Sequence, residues 1–170
     1  MNKIALVYGG IAGLVIIVVN TLSFELGIGH VWLGFLVMFI AFSLIFVAIK
    51  QYRDEVLGGV IRFATGFRVG LSISLVAGVV YVLAWELYLV MTDYAFIDVY
   101  IDSLIESRKA SGATPQEIAN TIAETDTLRQ QYANPFFRLP MTFVEIFPVG
   151  VLISGVAALV LRDSRALAAN

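Results

Sequence analysis

Four stretches of this chain are each long and apolar enough to cross a membrane as a helix, and that feature fixes its class. Ile4–Phe24 carries no charge in 21 positions, and Val31–Ile49 is also uncharged. The stretch from Val69 to about Met91 is interrupted only by Glu86, and Met141–Leu161 only by Glu145. A hydrocarbon core about 30 Å thick needs about 20 apolar helical residues, so each stretch suffices. The first is longer than the apolar part of a signal peptide, and no small-x-small pattern precedes "SFELGIGH"; it reads as a retained span. With 59% hydrophobic and 14% charged residues in 170, the composition lies far from that of soluble domains. The expected fold is an all-α integral membrane bundle of four transmembrane helices in a single domain, 1–170. Its spans fall at about 4–24, 30–50, 67–92 and 140–161, with an extracytoplasmic helical hairpin inserted at 93–135.

Scarcity of certain residues excludes several kinds of chemistry. A net charge of −2 gives no reason to expect nucleic acid as a partner. With zero cysteines and one histidine, His30, no disulfide, thiolate nucleophile or multi-histidine metal site can form. No cofactor or metal is expected, and no nucleophile–base set points to an enzyme.

Basic residues near span ends gather on the cytoplasmic side of membrane proteins. Lys3, then Lys50, Arg53, Arg62 and Arg68, then Arg162 and Arg165 all fall on one side if both termini are cytoplasmic. Arg108, Lys109, Arg129 and Arg138 fall on the other side, in or beside the long connection, where charge carries little topological weight. That connection has its own helical signals. Thr114, Pro115 and Glu117 make a capping box with proline at the first helical position, and Ile118, Ile122 and Thr125 follow on one face. Before it, Ile97, Ile101, Leu104 and Ile105 form a helical stripe. Nothing between Met91 and Ala95 breaks a helix firmly, so the third span is expected to run on into the hairpin. Asp98, Asp102 and Glu106 share one face, which reads as solvated, because helical carboxylates without loop oxygens rarely cage a divalent cation.

Inside the spans two residue types stand out. Small residues recur every fourth position: Gly66, Gly70, Ser74 and Gly78 in the third span, and Gly150, Ser154 and Ala158 in the fourth. Gly9 and Gly13 do the same in the first. In lipid such rows mark close helix–helix contact, here expected within the bundle. The other type is ionisable. Glu86, Glu145, His30 and Arg138 converge on one layer near the outer boundary, and Pro148 frees a carbonyl beside Glu145. This layer is a candidate polar site, and Glu145 is expected to face the interior within reach of Arg138, His30 or Glu86. On the opposite side, Tyr52, Arg53, Gly58 and Gly59 form a turn, with Lys50, Tyr52 and Arg53 as interface anchors and the glycines at positive φ.

"KQYRDEVLGGVIRFATGFRVG" (Lys50 to Gly70) and "FVEIFPVGVLISGVAALVLR" (Phe143 to Arg162), with the acidic segment containing "KASGATPQEI" between them, resemble a bacterial family. Its members are small multi-pass membrane proteins classed only as a domain of unknown function, the four-one-nine-nine family. Tyr52, Arg53, Gly58, Gly59, Glu145, Pro148 and Gly150 match its pattern. The resemblance implies four spans in a bacterial inner membrane and brings no activity. The sequence favours a non-enzymatic scaffold or accessory subunit that acts by helix association, touching the lipid bilayer and either further copies or another membrane protein. The alternative is an oligomeric carrier or channel for protons or a small cation that uses the outer-leaflet glutamates Glu86 and Glu145.

Overall fold

Each apolar stretch needs all its backbone donors bonded internally to lie in lipid, and a helix alone meets that need within one segment. The computed structural model describes residues 2–28 and 31–162; His30 and Arg165 lie outside the described residues. The helices are α1 (Asn2–Glu25), α2 (Val31–Phe42), α3 (Leu44–Gln51), α4 (Phe63–Met91), α5 (Ala95–Ala110), α6 (Pro115–Tyr132) and α7 (Pro135–Leu161), with a π-helical turn at Tyr52–Val56. α2 and α3 are one rod interrupted at Ser43, whose hydroxyl donates to the Ile40 carbonyl at 2.6 Å. Four rods qualify as membrane spans: Lys3–Glu25, Trp32–Val56, Phe63–Met91 and Pro135–Leu161. The chain divides into two compact units, one ending at Ala84 and resuming at Phe143, the other Trp85–Thr142.

In the first unit small residues let helix backbones touch. A Cβ on Gly9 would lie 2.7 Å from the Ile73 carbonyl oxygen, and one on Gly13 2.7 Å from that of Ala77. Both positions advance together, so α1 and α4 run parallel. Across α4, Gly66 meets Ala158, Gly70 meets Ser154, and Gly78 meets Phe143, while Gly150 of α7 meets Ser74. Here the order reverses, so α4 and α7 are antiparallel. The Ser74 and Ser154 hydroxyls sit 3.2 Å apart and donate back to the Gly70 and Gly150 carbonyls, which satisfies both inside the seam. Gly13→Ala would press a methyl on backbone, which cannot swing aside, and should cost about 1–3 kcal/mol by overpacking. Gly10 has nothing within 4 Å of its would-be Cβ, so Gly10→Ala should leave the melting temperature unchanged or raised. Thermal denaturation of the two variants in detergent checks this contrast.

The second unit holds the hairpin. α4 ends at Met91 and does not run on into α5. Asp93 (φ 49°) and Tyr94 (φ 59°) are both left-handed, and the Tyr94 N–H reaches the Leu89 carbonyl at 2.8 Å, the closure that ends helices. Two non-glycine residues in that conformation cost roughly 1–2 kcal/mol each, which a scan for glycine and proline does not anticipate. On α6 the inward face runs Ile118, Thr121, Thr125, Leu128, Tyr132, and Ile122 is 42% exposed. A three-four alternation through Thr121 brings the large Tyr132 ring inward, which buries more apolar area than Ile122 would. Arg129 ties α6 to Asp98 of α5 at 2.8 Å, and Lys109 pairs with Glu106 at 2.7 Å, both on the exposed side. No group of three metal-binding side chains occurs among the described residues.

The capping box forms as read. The Thr114 hydroxyl accepts from the Glu117 N–H at 3.3 Å, and the Glu117 carboxylate accepts from the Thr114 N–H at 2.7 Å. That backbone bond first, and the Thr114 hydroxyl second, hold the Glu117 carboxyl below its usual range. A depressed folded-state value means the stabilisation is present above the unfolded value and lost as pH falls through the folded one. Amide protection factors in the first turn of α6 should therefore be flat at neutral pH and drop in acid. Glu117→Gln should remove that acid dependence; an unchanged profile would show that the cap does not titrate.

α7 begins earlier than expected. Asn134 accepts from the Phe136 N–H at 3.0 Å and Pro135 takes the first helical position, so "NPF" opens the last helix as well as closing the hairpin. The added turn lengthens α7 to 27 residues, about 40 Å.

Candidate functional site

The second unit contains a buried charge pair. Arg138 is 3% exposed and forks onto Glu86 of α4, Nε to Oε1 and Nη2 to Oε2, each at 2.7 Å. Its Nη1 donates at 2.8 Å to the carbonyl of Tyr132 in the last turn of α6, one of the acceptors a helix end leaves without an internal partner. The guanidinium also lies over two rings, Tyr94 at 5.2 Å and Tyr132 at 5.7 Å. Tyr132 is fixed from its other end, because its hydroxyl accepts from the Trp85 indole at 2.8 Å. Trp85 in turn meets Phe96 edge-on at 4.7 Å. The left-handed backbone at Tyr94 therefore places a ring over a cation, which offsets part of its strain. A bidentate, charge-assisted pair of this kind joins three helices at one point.

The first unit buries a second guanidinium. Arg53, 1% exposed, is among the largest fully buried side chains. Its Nε donates to Asp54 at 2.7 Å, and its Nη1 reaches the Leu161 carbonyl at the end of α7 at 3.5 Å. Lys50 donates to the other Asp54 oxygen at 2.9 Å. The Gly59 N–H closes on the Arg53 carbonyl at 2.9 Å, with Gly58 and Gly59 at φ 70° and 96°. The glycines thus make the re-entrant turn expected of them. Arg53 is not the interface anchor expected of it: it is buried, and its guanidinium reaches the last turn of α7. Lys50 and half-buried Tyr52 remain at the rim.

Of the polar layer read from sequence, Glu86 and Arg138 are brought together. Glu145 is exposed and makes no hydrogen bond or ion pair among the described residues, and Pro148 is exposed on the same helix. The inward Glu145 is thus corrected. α7 starts at Pro135, and the inward stripe that begins at Arg138 runs through Thr142, Ile146 and Gly150, which leaves residue 145 outside it. Gly66, Gly70, Ser74, Gly78, Gly150 and Ser154 all line the α4–α7 contact. Sequence reading missed Trp85, Tyr94 and Tyr132. Trp85 adjoins Glu86, and Tyr132 stands six residues before Arg138, but only the fold brings the two ends together. No buried side-chain nitrogen or oxygen lacks a hydrogen bond among the described residues.

Four long apolar helices, a helical hairpin between the third and fourth, and charges paired between helices define a multi-pass membrane protein. The chain belongs to the family described as Protein of unknown function (DUF4199), whose model matches residues 7–163. No curated protein and no solved structure matches the chain significantly.

Proposed function

We propose that this protein is a non-enzymatic scaffold or accessory subunit of the bacterial inner membrane that works by helix association. Both termini face the cytoplasm and the α5–α6 hairpin stands outside. The carrying observation is how the buried charge is used. Arg138 joins Glu86 of α4 to the end of α6, and Arg53, paired with its neighbour Asp54, reaches the Leu161 carbonyl of α7, so both guanidiniums serve to hold elements together. The one-sided spread of Lys and Arg supports the orientation. A second reading, an oligomeric carrier or channel for protons or a small cation, draws on one observation: Glu145 is an exposed carboxylate within a span.

Extraction of the tagged chain from native membranes in a lipid-retaining polymer, followed by mass determination, tests the association. The expected result is a complex of fixed stoichiometry, and a lone monomer at native abundance would contradict it. Orientation is tested separately, since the chain has no cysteine of its own. In intact spheroplasts an impermeant thiol reagent should label Ser111→Cys and spare Gln51→Cys; the reverse pattern would invert the topology.

A further inference from the structure

Glu145 is the eleventh residue of the 27 in α7, roughly 15 Å from Pro135 and 24 Å from Leu161 along the axis. However a core about 30 Å thick is placed on a helix about 40 Å long, this carboxyl lies roughly 5 Å or more inside hydrocarbon. A group there needs a hydrogen-bond partner, and it has none among the described residues. Its neighbours on that face follow a heptad. Glu145, Leu152 and Leu159 are seven apart, and Pro148 and Gly155 fall at the intervening positions. Leu152 is 59% exposed and Leu159 51%, and a Cβ on Gly155 would meet nothing within 4 Å. Three- and four-residue spacing of this kind is the pattern by which two helices supercoil, and an open glycine allows a second backbone to come close.

We propose that this stripe is the seam of a symmetric dimer, in which α7 packs on α7 of a second copy and the two Glu145 carboxyls meet across the two-fold axis. One carboxyl keeps its proton and donates to the other, so the pair carries one negative charge in place of two. The occupant is a second copy because a two-fold seam sets each core heptad residue opposite itself. A carboxyl is donor and acceptor in one group, so this chain brings its own complement at the right depth. A different partner would need an independent donor at the same level. A lone polar residue in such a seam also fixes register. The proposal rests on the association reading above and names its partner.

The test uses the full chain in lipid vesicles at low protein density, with Leu152→Cys as the seam probe and Leu83→Cys, on an exposed position of α4, as the control. A short bismaleimide should couple Leu152→Cys pairs and leave Leu83→Cys uncoupled. Adding Glu145→Gln should preserve coupling, since an amide both donates and accepts. Adding Glu145→Leu should lower the dimer association constant about tenfold. All of these side chains are exposed, so melting temperatures should stay within a few degrees of the parent. Coupling of Leu83→Cys alone, or equal dimerisation of Glu145→Leu and parent, would overturn the seam. Assembly only with a different membrane protein, weakened by Glu145→Leu, would overturn the second copy and leave the association reading standing. A chain that is monomeric and partnerless would overturn both.

Discussion

Replacing Arg138 with Met is expected to cost about 3 kcal/mol of stability. Removing one member of a buried ion pair leaves the other charge without a partner, which typically costs about 3–5 kcal/mol. The low end applies because the Glu86 side chain keeps 23% of its exposure. The loss is threefold in kind: Glu86 is stranded, the Tyr132 carbonyl loses its donor, and Tyr94 loses the cation that offsets its left-handed backbone. Thermal denaturation in detergent reads the magnitude, and Trp85 emission should shift to the red as its contact with Tyr132 loosens. Adding Glu86→Leu should recover most of the stability, because an apolar pair of similar volume often replaces a buried ion pair at no net cost. If Arg138→Met melts with the parent, the pair does not hold this unit together.

The second large effect is expected at Arg53. Arg53→Met takes away the donor that covers the Leu161 carbonyl and leaves Asp54 with Lys50 alone, at a cost of about 2–4 kcal/mol. Arg53→Lys should recover little, since a single ammonium cannot span both the carboxylate and the helix end as a planar fork does. Limited proteolysis between Tyr52 and Arg62 should accelerate in both variants. If Lys substitutes fully, Arg53 acts only as a point charge. The two arginines therefore predict a shared pattern: each is buried, each joins elements distant in sequence, and neither is interchangeable with lysine.

Elements governed by local rules were legible in the residues. The presence of four long apolar helices, the Thr114–Glu117 cap, the glycine turn at Gly58–Gly59 and the small-residue rows all follow from spacing alone, whereas the second and last spans run past the apolar boundaries read for them. What was not legible depended on partners distant in sequence. The left-handed break at Asp93–Tyr94 places a tyrosine in a conformation that tyrosine rarely adopts, and it makes sense only once Arg138 lies over the Tyr94 ring. The burial of Arg53 needs the end of α7, 108 positions away. The outward direction of Glu145 follows from the inward stripe Arg138, Thr142, Ile146 and Gly150, whose partners on other helices lie far away in sequence.

On the scaffold reading proposed above, the ionisable groups of the spans hold helices together and do not conduct ions. The most direct measurement is ion flux through purified protein in sealed vesicles under an imposed pH or cation gradient, against a known ionophore as positive control. The expected result is dissipation no faster than in protein-free vesicles, for the parent and for Glu145→Gln alike. Saturable flux of protons or a small cation in the parent, abolished by Glu145→Gln in a variant that melts normally, would contradict it.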